Sequence, residues 1–390
     1  MTGSNRLALA GRASRFGRVL RAVSRADAGA AEVATLVERL DGLDGIAAQA
    51  NRHRVECLAH RGLAPLAAGA SSGHADMRLL AAAREAAVGE HLRGVATLRR
   101  VGRALDPGAI PWVVVKGPVL AELVYGDPSL RRSADVDVLV PRSRFLDAVR
   151  AVETAGATCN KHDWVDAMEA GSGQVDVQLG PDPHLDLHWH ILDRREERIR
   201  FPISVDEMLE RTVDIELGGS TRCRTFESTD ALIHLAMHAC MSGADRLGWL
   251  VDVDRQVRAR PPSWDDLARR CRAWRVGLPV ALVLHRASVA VGTPVPGDAL
   301  RELSPNAAFR AMAGAVDAVA PIGSRAREYG MPNRLARLAR PSASGVVAAA
   351  GETGLHRLRG RAPRDRHSDP CAQLKARDAW LSAIDDGFTP

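Results

Sequence analysis

The stretch from Val113 to Val140, VVVKGPVLAELVYGDPSLRRSADVDVLV, places two aspartates inside a strongly apolar strand. Side chains of a strand alternate between its two faces, so Asp135 and Asp137 point to one face and the intervening valines to the other. Two carboxylates held side by side repel each other, and a divalent cation is the usual compensation. Magnesium is the common choice, because it prefers carboxylate oxygen. The strand therefore predicts a carboxylate metal site.

A Lys116-Gly117 turn precedes this strand and follows the apolar run Trp112 to Val115. Gly117 has no side chain, so the backbone there allows close approach of a phosphate. Lysine is rare in this chain: Lys116, Lys161 and Lys375 are the only lysines among 53 basic residues, as expected from a G+C-rich bacterial genome. The lysine in this turn either supplies a compact point charge that binds phosphate or is there by chance. A metal site beside a glycine turn is typical of nucleoside triphosphate binding.

In chain order, the motif contains a KG turn, a tyrosine-glycine-aspartate segment from 125 to 127, Arg131, and the Asp-x-Asp strand. Downstream, HLDLHWHIL spans His184 to Leu192. This order resembles the uncharacterised nucleotidyltransferase family, within the DNA polymerase beta-type nucleotidyltransferase superfamily. The resemblance extends from about residue 30 to about residue 295 and includes helical segments on both sides of the motif.

The resemblance implies that Asp135 and Asp137 bridge two metal ions. It also implies that Asp186, on the DLHW strand, is the third carboxylate and helps to deprotonate the acceptor hydroxyl. Asp176, in Val175-Asp176-Val177, is the rival for that third position. We prefer Asp186, because LDLHWHI alternates cleanly and matches the family's strand.

Several further groups are expected to contact the NTP. The superfamily usually has Gly-Ser in the turn, whereas this chain has Gly117-Pro118, and proline offers neither a hydroxyl nor an N–H. Lys116 with Arg131 or Arg132 is expected to bind the phosphate oxygens instead. The complete predicted set is Lys116, Gly117, Arg131, Arg132, Ser133, His188 and His238.

Histidines near the motif leave alternatives open. His188 and His190 follow Asp186 at alternating spacing, so with the carboxylates they predict either a transition-metal site, a substrate contact, or core-edge histidines. His234 and His238 are four residues apart on a predicted helix, but the sequence HLAMH lacks the glutamate of HExxH. A hydrolytic zinc site is therefore not expected.

The 390-residue chain predicts an α/β (α+β) fold: a small mixed nucleotidyltransferase sheet with flanking helices, plus N-terminal and C-terminal helical regions. We expect five segments. They are a basic lead-in (1–26, an amphipathic helix or disordered), an N-terminal helical region (27–108), the core (109–202), a C-terminal helical domain (203–334), and a basic low-complexity tail with a short terminal helix near Trp380 (335–390).

The predicted function is magnesium-dependent (or manganese-dependent) transfer of an NMP group from an NTP, expected to be ATP. The acceptor is a hydroxyl or phosphate of a small molecule, peptide or protein, in a specialised pathway. The alternative is a catalytically weak nucleotide- or partner-binding module of the toxin–antitoxin type. Nucleic acid is not an expected partner, because aromatic residues make up only 4% of the chain. The absence of long apolar runs and of CxxC pairs predicts a cytoplasmic protein without a membrane span.

Overall fold

The computed structural model describes residues 3–67, 73–160, 164–180, 184–304, 307–323, 336, 339 and 370–385. The chain divides into two compact units, and each combines three separate stretches of sequence. The first unit comprises Met1–Gly89, Leu120–Arg132 and Ser228–Pro341, and the second comprises Glu90–Val119, Ser133–Glu227 and Ser342–Pro390. The five-segment division remains a prediction, and most of its tail lies outside the described residues.

A five-stranded mixed sheet forms the centre of the second unit, with strand order β1-β2-β5-β4-β3. The neighbouring strands β2 and β5 are parallel, and the other three neighbouring pairs are antiparallel. The strands are β1 (Val113–Val114), β2 (Asp135–Leu139), β3 (Thr158–Asn160), β4 (Gln174–Gln178) and β5 (His184–His188). This confirms the predicted mixed sheet, and it makes the segment around Val175 a strand, as its alternation indicated.

Helices account for most of the remaining described residues. Their bounds are α1 (Gly3–Ser24), α2 (Ala30–Glu38), α3 (Ile46–His53), α4 (Glu56–Ala67), α5 (His74–Leu105), α6 (Phe145–Thr154), α7 (Trp164–Glu169), α8 (Arg195–Arg200), α9 (Val205–Glu210), α10 (Ser228–Met241), α11 (Leu247–Ala259), α12 (Trp264–Ala273), α13 (Gly277–Val291), α14 (Gly297–Leu303), α15 (Ala307–Val319) and α16 (Pro370–Asp385). Local signals explain several ends. Asp106-Pro107-Gly108 stops α5, and the Ser263 side chain caps α12 by accepting from the Asp266 N–H.

The basic lead-in forms a helix, α1, which packs in the first unit. Phe16, Val19 and Leu20 of α1 are buried. The close approach of α4 depends on Gly62, since a Cβ there would lie 2.5 Å from a Val23 methyl carbon. Of the two alternatives for the lead-in, the structure has the helix.

A β-hairpin stands where we expected only helices after Pro202. Its strands are β6 (Val213–Leu217) and β7 (Thr221–Thr225), which pair with each other as a separate two-stranded sheet in the second unit. Alternating polar and apolar residues around Gly218-Gly219 carry this signal in VDIELGGSTRCRT, and the helical interpretation overlooked it.

Within the described residues, no helix combines the length and the apolar composition needed to cross a bilayer.

The terminal helix α16 packs in the second unit through Trp380, which is 2% exposed. Its ring centroid lies 5.6 Å from that of Phe145 and 5.6 Å from that of Trp164. Its indole N–H donates to the Ser172 carbonyl at 3.2 Å. The predicted docking of this segment is therefore present, with the Trp380 ring buried in it.

We expect Trp380→Ala to lower the free energy of unfolding by about 3–5 kcal/mol, because a large buried ring leaves a cavity. Chemical denaturation followed by circular dichroism measures this change. Leu374→Ala is the matched control in the same helix, since Leu374 is 61% exposed, and it should change stability by less than about 0.5 kcal/mol. Equal effects of the two substitutions would contradict the docking role of Trp380.

Candidate active site

The register of the sheet lines up three aspartates in one row of the second unit. Asp137 on β2 pairs with Asp186 on β5, and Asp186 pairs with Asp176 on β4. Paired residues in neighbouring strands project from the same face, so Asp186 stands between the other two carboxylates. Both rivals for the third carboxylate therefore occupy the same face, with Asp186 directly beside Asp137.

Asp137 is the buried member of this row, with 2% of its surface exposed. Its Oδ1 atom lies 2.9 Å from the Lys116 Nζ and 3.2 Å from the His188 Nε2. Burial by itself raises the pKa of a carboxyl, but the Lys116 charge and the His188 hydrogen bond outweigh burial and hold the pKa of Asp137 well below its usual range. Asp137 is therefore a carboxylate. Its Oδ2 atom is buried without a hydrogen-bond partner.

The surroundings of Asp186 shift its pKa in the opposite direction from that of Asp137. Burial, together with the nearby carboxylates of Asp137, Asp135 and Asp176, raises the pKa of Asp186 to about 6, although His188 opposes the rise. Such crowding of negative charge is what a bound cation would relieve.

Donor atoms of Asp137, Asp186 and His188 all lie within 4.8 Å of one another. Among the described residues, this is the one group of three or more metal-ligating side chains at that spacing. Asp135 lies on the same strand face as Asp137, but it is exposed at the start of β2 and is not in the group. The bridging role of Asp135 stays a prediction.

The Lys116-Gly117 turn needs its glycine for two reasons. Gly117 has φ +61°, a left-handed conformation that disfavours side chains. A Cβ there would also lie 2.9 Å from the Ser133 Oγ and 3.0 Å from the Asp135 carbonyl oxygen. The turn thus lies directly against the start of β2.

Ser133 holds the other side of this contact. Its hydroxyl donates to the Asp135 carbonyl at 3.1 Å, and its backbone N–H donates to the Glu90 carboxylate at 2.9 Å. Both side chains are buried, which ties α5 to the entry of β2. Glu90 was not predicted as a site residue. Glu90 follows Ala87 and precedes Gly94 at helical spacing, and an acidic residue in this row of small residues was the signal that it has a buried partner.

Pro118, the departure from the superfamily's serine, has a packing partner on α5. A Cβ at Gly94 would lie 2.7 Å from the Pro118 Cγ and 3.5 Å from a Val136 methyl carbon. Gly94 therefore makes room for the proline ring. The unusual residue is accommodated by the helix behind the turn.

Arg131 belongs to the first unit, where it forms a two-pronged ion pair with Asp252 of α11. Its Nε lies 2.8 Å from Oδ1 and its Nη2 lies 3.1 Å from Oδ2. The Tyr125 hydroxyl donates to the same Oδ1 at 2.8 Å. Burial, followed by the adjacent Asp252 charge, raises the pKa of Tyr125. The guanidinium predicted to hold phosphate is thus engaged with a carboxylate here, and Arg132 lies beside it in the same unit.

The other predicted histidines are not members of the three-donor cluster. His190 lies beyond the end of β5, where its Nδ1 accepts from the Leu192 N–H at 3.0 Å. Burial, with help from Arg198, lowers the pKa of His190 to about 3. Of the alternatives left open for His190, the structure has the core-edge histidine, because both ring nitrogens have backbone partners and His190 is outside the three-donor cluster. His238 lies on α10 in the first unit, edge-on to Trp249 with centroids 6.3 Å apart.

A separate groove of about 730 Å³ lies beside Trp112 and the charged hairpin residues Asp214, Arg222 and Arg224. None of the residues that line this groove belongs to the three-donor cluster.

Comparison with known proteins identifies one family. The sequence profile described as uncharacterised nucleotidyltransferase matches residues 42–292, more than half of the chain. No functionally curated protein matches the sequence significantly. Among solved structures, the chain is similar to the antibiotic-resistance factor ANT(2'')-Ia, with 14% identity over 58% of this chain and 95% of that one. The TM-score is 0.28.

Removing the Lys116 charge should destabilise the protein, because it leaves the Asp137 carboxylate buried without its counter-charge. We expect Lys116→Met to lower the free energy of unfolding by roughly 3 kcal/mol in denaturant titrations. Lys375→Met is the matched control, since Lys375 is an exposed lysine on α16. If Lys116→Met unfolds at the wild-type midpoint, the ion pair does not stabilise the site.

Adding a methyl group at Gly117 should be far more costly than at Gly126, although both have positive φ. No atom lies within 4 Å of a Cβ at Gly126. We therefore expect backbone strain of about 1 kcal/mol for Gly126→Ala, and about 3 kcal/mol for Gly117→Ala, where crowding adds to it. Thermal unfolding of the two variants side by side measures the difference, and equal losses would show that the turn does not contact β2.

Proposed function

We propose that this chain, which belongs to the uncharacterised nucleotidyltransferase family, transfers a nucleoside monophosphate from an NTP to an acceptor hydroxyl. A bond forms between the acceptor oxygen and the α-phosphorus. The bond from the α-phosphorus to the bridging oxygen breaks, and pyrophosphate leaves. The acceptor proton passes to a carboxylate of the site or to water.

The observation that carries this proposal is the buried Asp137 carboxylate beside Asp186, at the turn formed by Lys116 and Gly117. Family membership supplies the class of reaction, and this cluster supplies residues suited to it. A buried carboxylate oxygen without a hydrogen-bond partner is costly unless something else satisfies it. A cation held during the reaction would satisfy it.

The donor set fits a divalent cation. Asp137 and Asp186 would hold it, with Asp135 as a further carboxylate at the exposed start of the same strand. When bound, Mg²⁺ or Mn²⁺ with the NTP supplies charge neutralisation at the triphosphate and activation of the acceptor oxygen. Asp186 is the residue we propose for receiving the acceptor proton, because the pairing of β2 with β5 places it directly beside Asp137 in the three-donor cluster.

The turn and the basic residues would position the triphosphate. Gly117 keeps the backbone free of a side chain at the strand entry, and Lys116 offers one compact charge. Arg131, Arg132, Ser133 and His238 stay predicted contacts. ATP as donor, and a small-molecule, peptide or protein acceptor in a specialised bacterial pathway, complete the proposal.

The alternative is a nucleotide- or partner-binding module with little turnover. One observation favours it: the Lys116 ammonium is 2.9 Å from Asp137 rather than free for phosphate. In that case, the ion pair would persist with nucleotide present and no pyrophosphate would be released.

Calorimetric titration of ATP, GTP, CTP and UTP, each with Mg²⁺, tests the proposal. We expect one NTP to bind the wild type, and we expect Asp135→Asn/Asp137→Asn to abolish that binding, because the carboxylates that neutralise the metal are lost. A folded wild type that binds none of the four would sink the enzyme proposal. Tight NTP binding without any pyrophosphate release in an acceptor screen would favour the binding module.

Single substitutions should show how much each aspartate of the row contributes to turnover. Once a turnover assay exists, we expect Asp137→Asn and Asp186→Asn to reduce pyrophosphate release by roughly a thousandfold, about 4 kcal/mol of barrier. Asp176→Asn is the matched control on the neighbouring strand, where we expect a change of only a few-fold. A larger loss for Asp176→Asn than for Asp186→Asn would transfer the third-carboxylate role to Asp176.

A further inference from the structure

His188 makes the candidate cation site differ from an all-carboxylate one. Its Nε2 lies 3.2 Å from the Asp137 Oδ1, and its donor nitrogen falls within the same 4.8 Å cluster as the Asp137 and Asp186 oxygens. The β2–β5 pairing holds His188 opposite Leu139, one strand repeat beyond the Asp137–Asp186 pair. The imidazole is therefore placed by the sheet itself and not by a loop.

A second observation points to a ligand at this cluster. The Asp137 Oδ2 is buried and lacks a hydrogen-bond partner, although Lys116 and His188 both approach the Oδ1 of the same carboxylate. One half of a 2% exposed carboxylate is thus unsatisfied. Two carboxylates with one ammonium also leave the cluster negatively charged, which favours a dication.

The chemistry of the donor atoms determines which divalent cation the site prefers. Magnesium strongly prefers oxygen and retains water, whereas imidazole nitrogen suits divalent transition metals. A site with two carboxylates and one imidazole should therefore favour manganese, or a later transition metal, over magnesium. The three donors on two adjacent strands also leave further coordination positions for substrate oxygens.

We infer that His188 is a direct metal ligand, and that Asp137, Asp186 and His188 form a site that prefers Mn²⁺ to Mg²⁺. This inference rests on the proposed function for its place in the reaction, but the metal site itself is defined without any nucleotide. It makes His188 a metal ligand, whereas the proposed reaction requires only carboxylate ligands.

The first test is binding of Mn²⁺ and Mg²⁺ to the full chain without NTP. We expect a dissociation constant for Mn²⁺ that is about tenfold or more below that for Mg²⁺, measured by electron paramagnetic resonance of free Mn²⁺ and by Mg²⁺ competition. Electron spin echo spectra of bound Mn²⁺ should show ¹⁴N modulation from a ligating imidazole. That readout uses the wild-type protein, so it does not depend on whether a variant folds.

His188→Gln and His184→Gln form a matched pair on the same strand and the same face. The glutamine at 188 keeps a donor for Asp137 but removes the imidazole, so the ¹⁴N modulation should vanish and the Mn²⁺ preference should fall about tenfold. His184 is exposed, pairs with Asp135 and is outside the three-donor cluster. Its substitution should leave both readouts unchanged.

Equal affinity for the two metals, absence of ¹⁴N modulation, or persistence of the modulation in His188→Gln would each overturn the inference. The proposed transferase function would survive all three results if Mg²⁺-dependent NTP binding remains. Conversely, an Mn²⁺ site with nitrogen coupling in a protein that binds no NTP would uphold the inference and sink the proposed function.

Discussion

The buried charge of Asp137 is the feature on which the geometry of the candidate site depends. The valines beside it pack into the core of the second unit, which fixes β2, and Asp137 itself is only 2% exposed. A carboxylate in that position needs a counter-charge, and Lys116 supplies it from the turn after β1. The turn can reach β2 because Gly117 has no side chain. The buried position of Asp137, its ion pair with Lys116 and the absence of a side chain at Gly117 therefore depend on one another.

Lys116 and Arg131 pair with their aspartates in different ways, because an ammonium and a guanidinium differ in shape. Lys116 places a point charge on one oxygen of Asp137, shares that oxygen with His188, and leaves the other oxygen uncovered. Arg131 uses its planar fork to engage both oxygens of Asp252. A guanidinium in place of Lys116 would tend to cover both Asp137 oxygens. This offers a physical reason for a lysine at that position in a chain dominated by arginine.

Much of the architecture could be predicted from local patterns. Apolar spacing located α5, α10 and α13 to within a few residues, and alternation located β2 and β5. The hairpin β6–β7 was overlooked, although its own alternation and paired glycines signal it. The partners of Arg131 and Ser133 could not be predicted, because Asp252 and Glu90 are distant in sequence and reach them through tertiary packing. No local pattern encodes such a pairing.

The amino-acid sequence was enough to predict the family, from a motif with aspartates at Asp135, Asp137 and Asp186 and a KG turn before the first two. It was enough because alternation in a strand is a local property with a period of two. The grouping of Asp137 with Asp186 and His188, the exclusion of His190, and the pairing of Arg131 with Asp252 required the folded chain. Strand register, the end of β5 and ion-pair choice are set by packing between segments that lie far apart in the sequence.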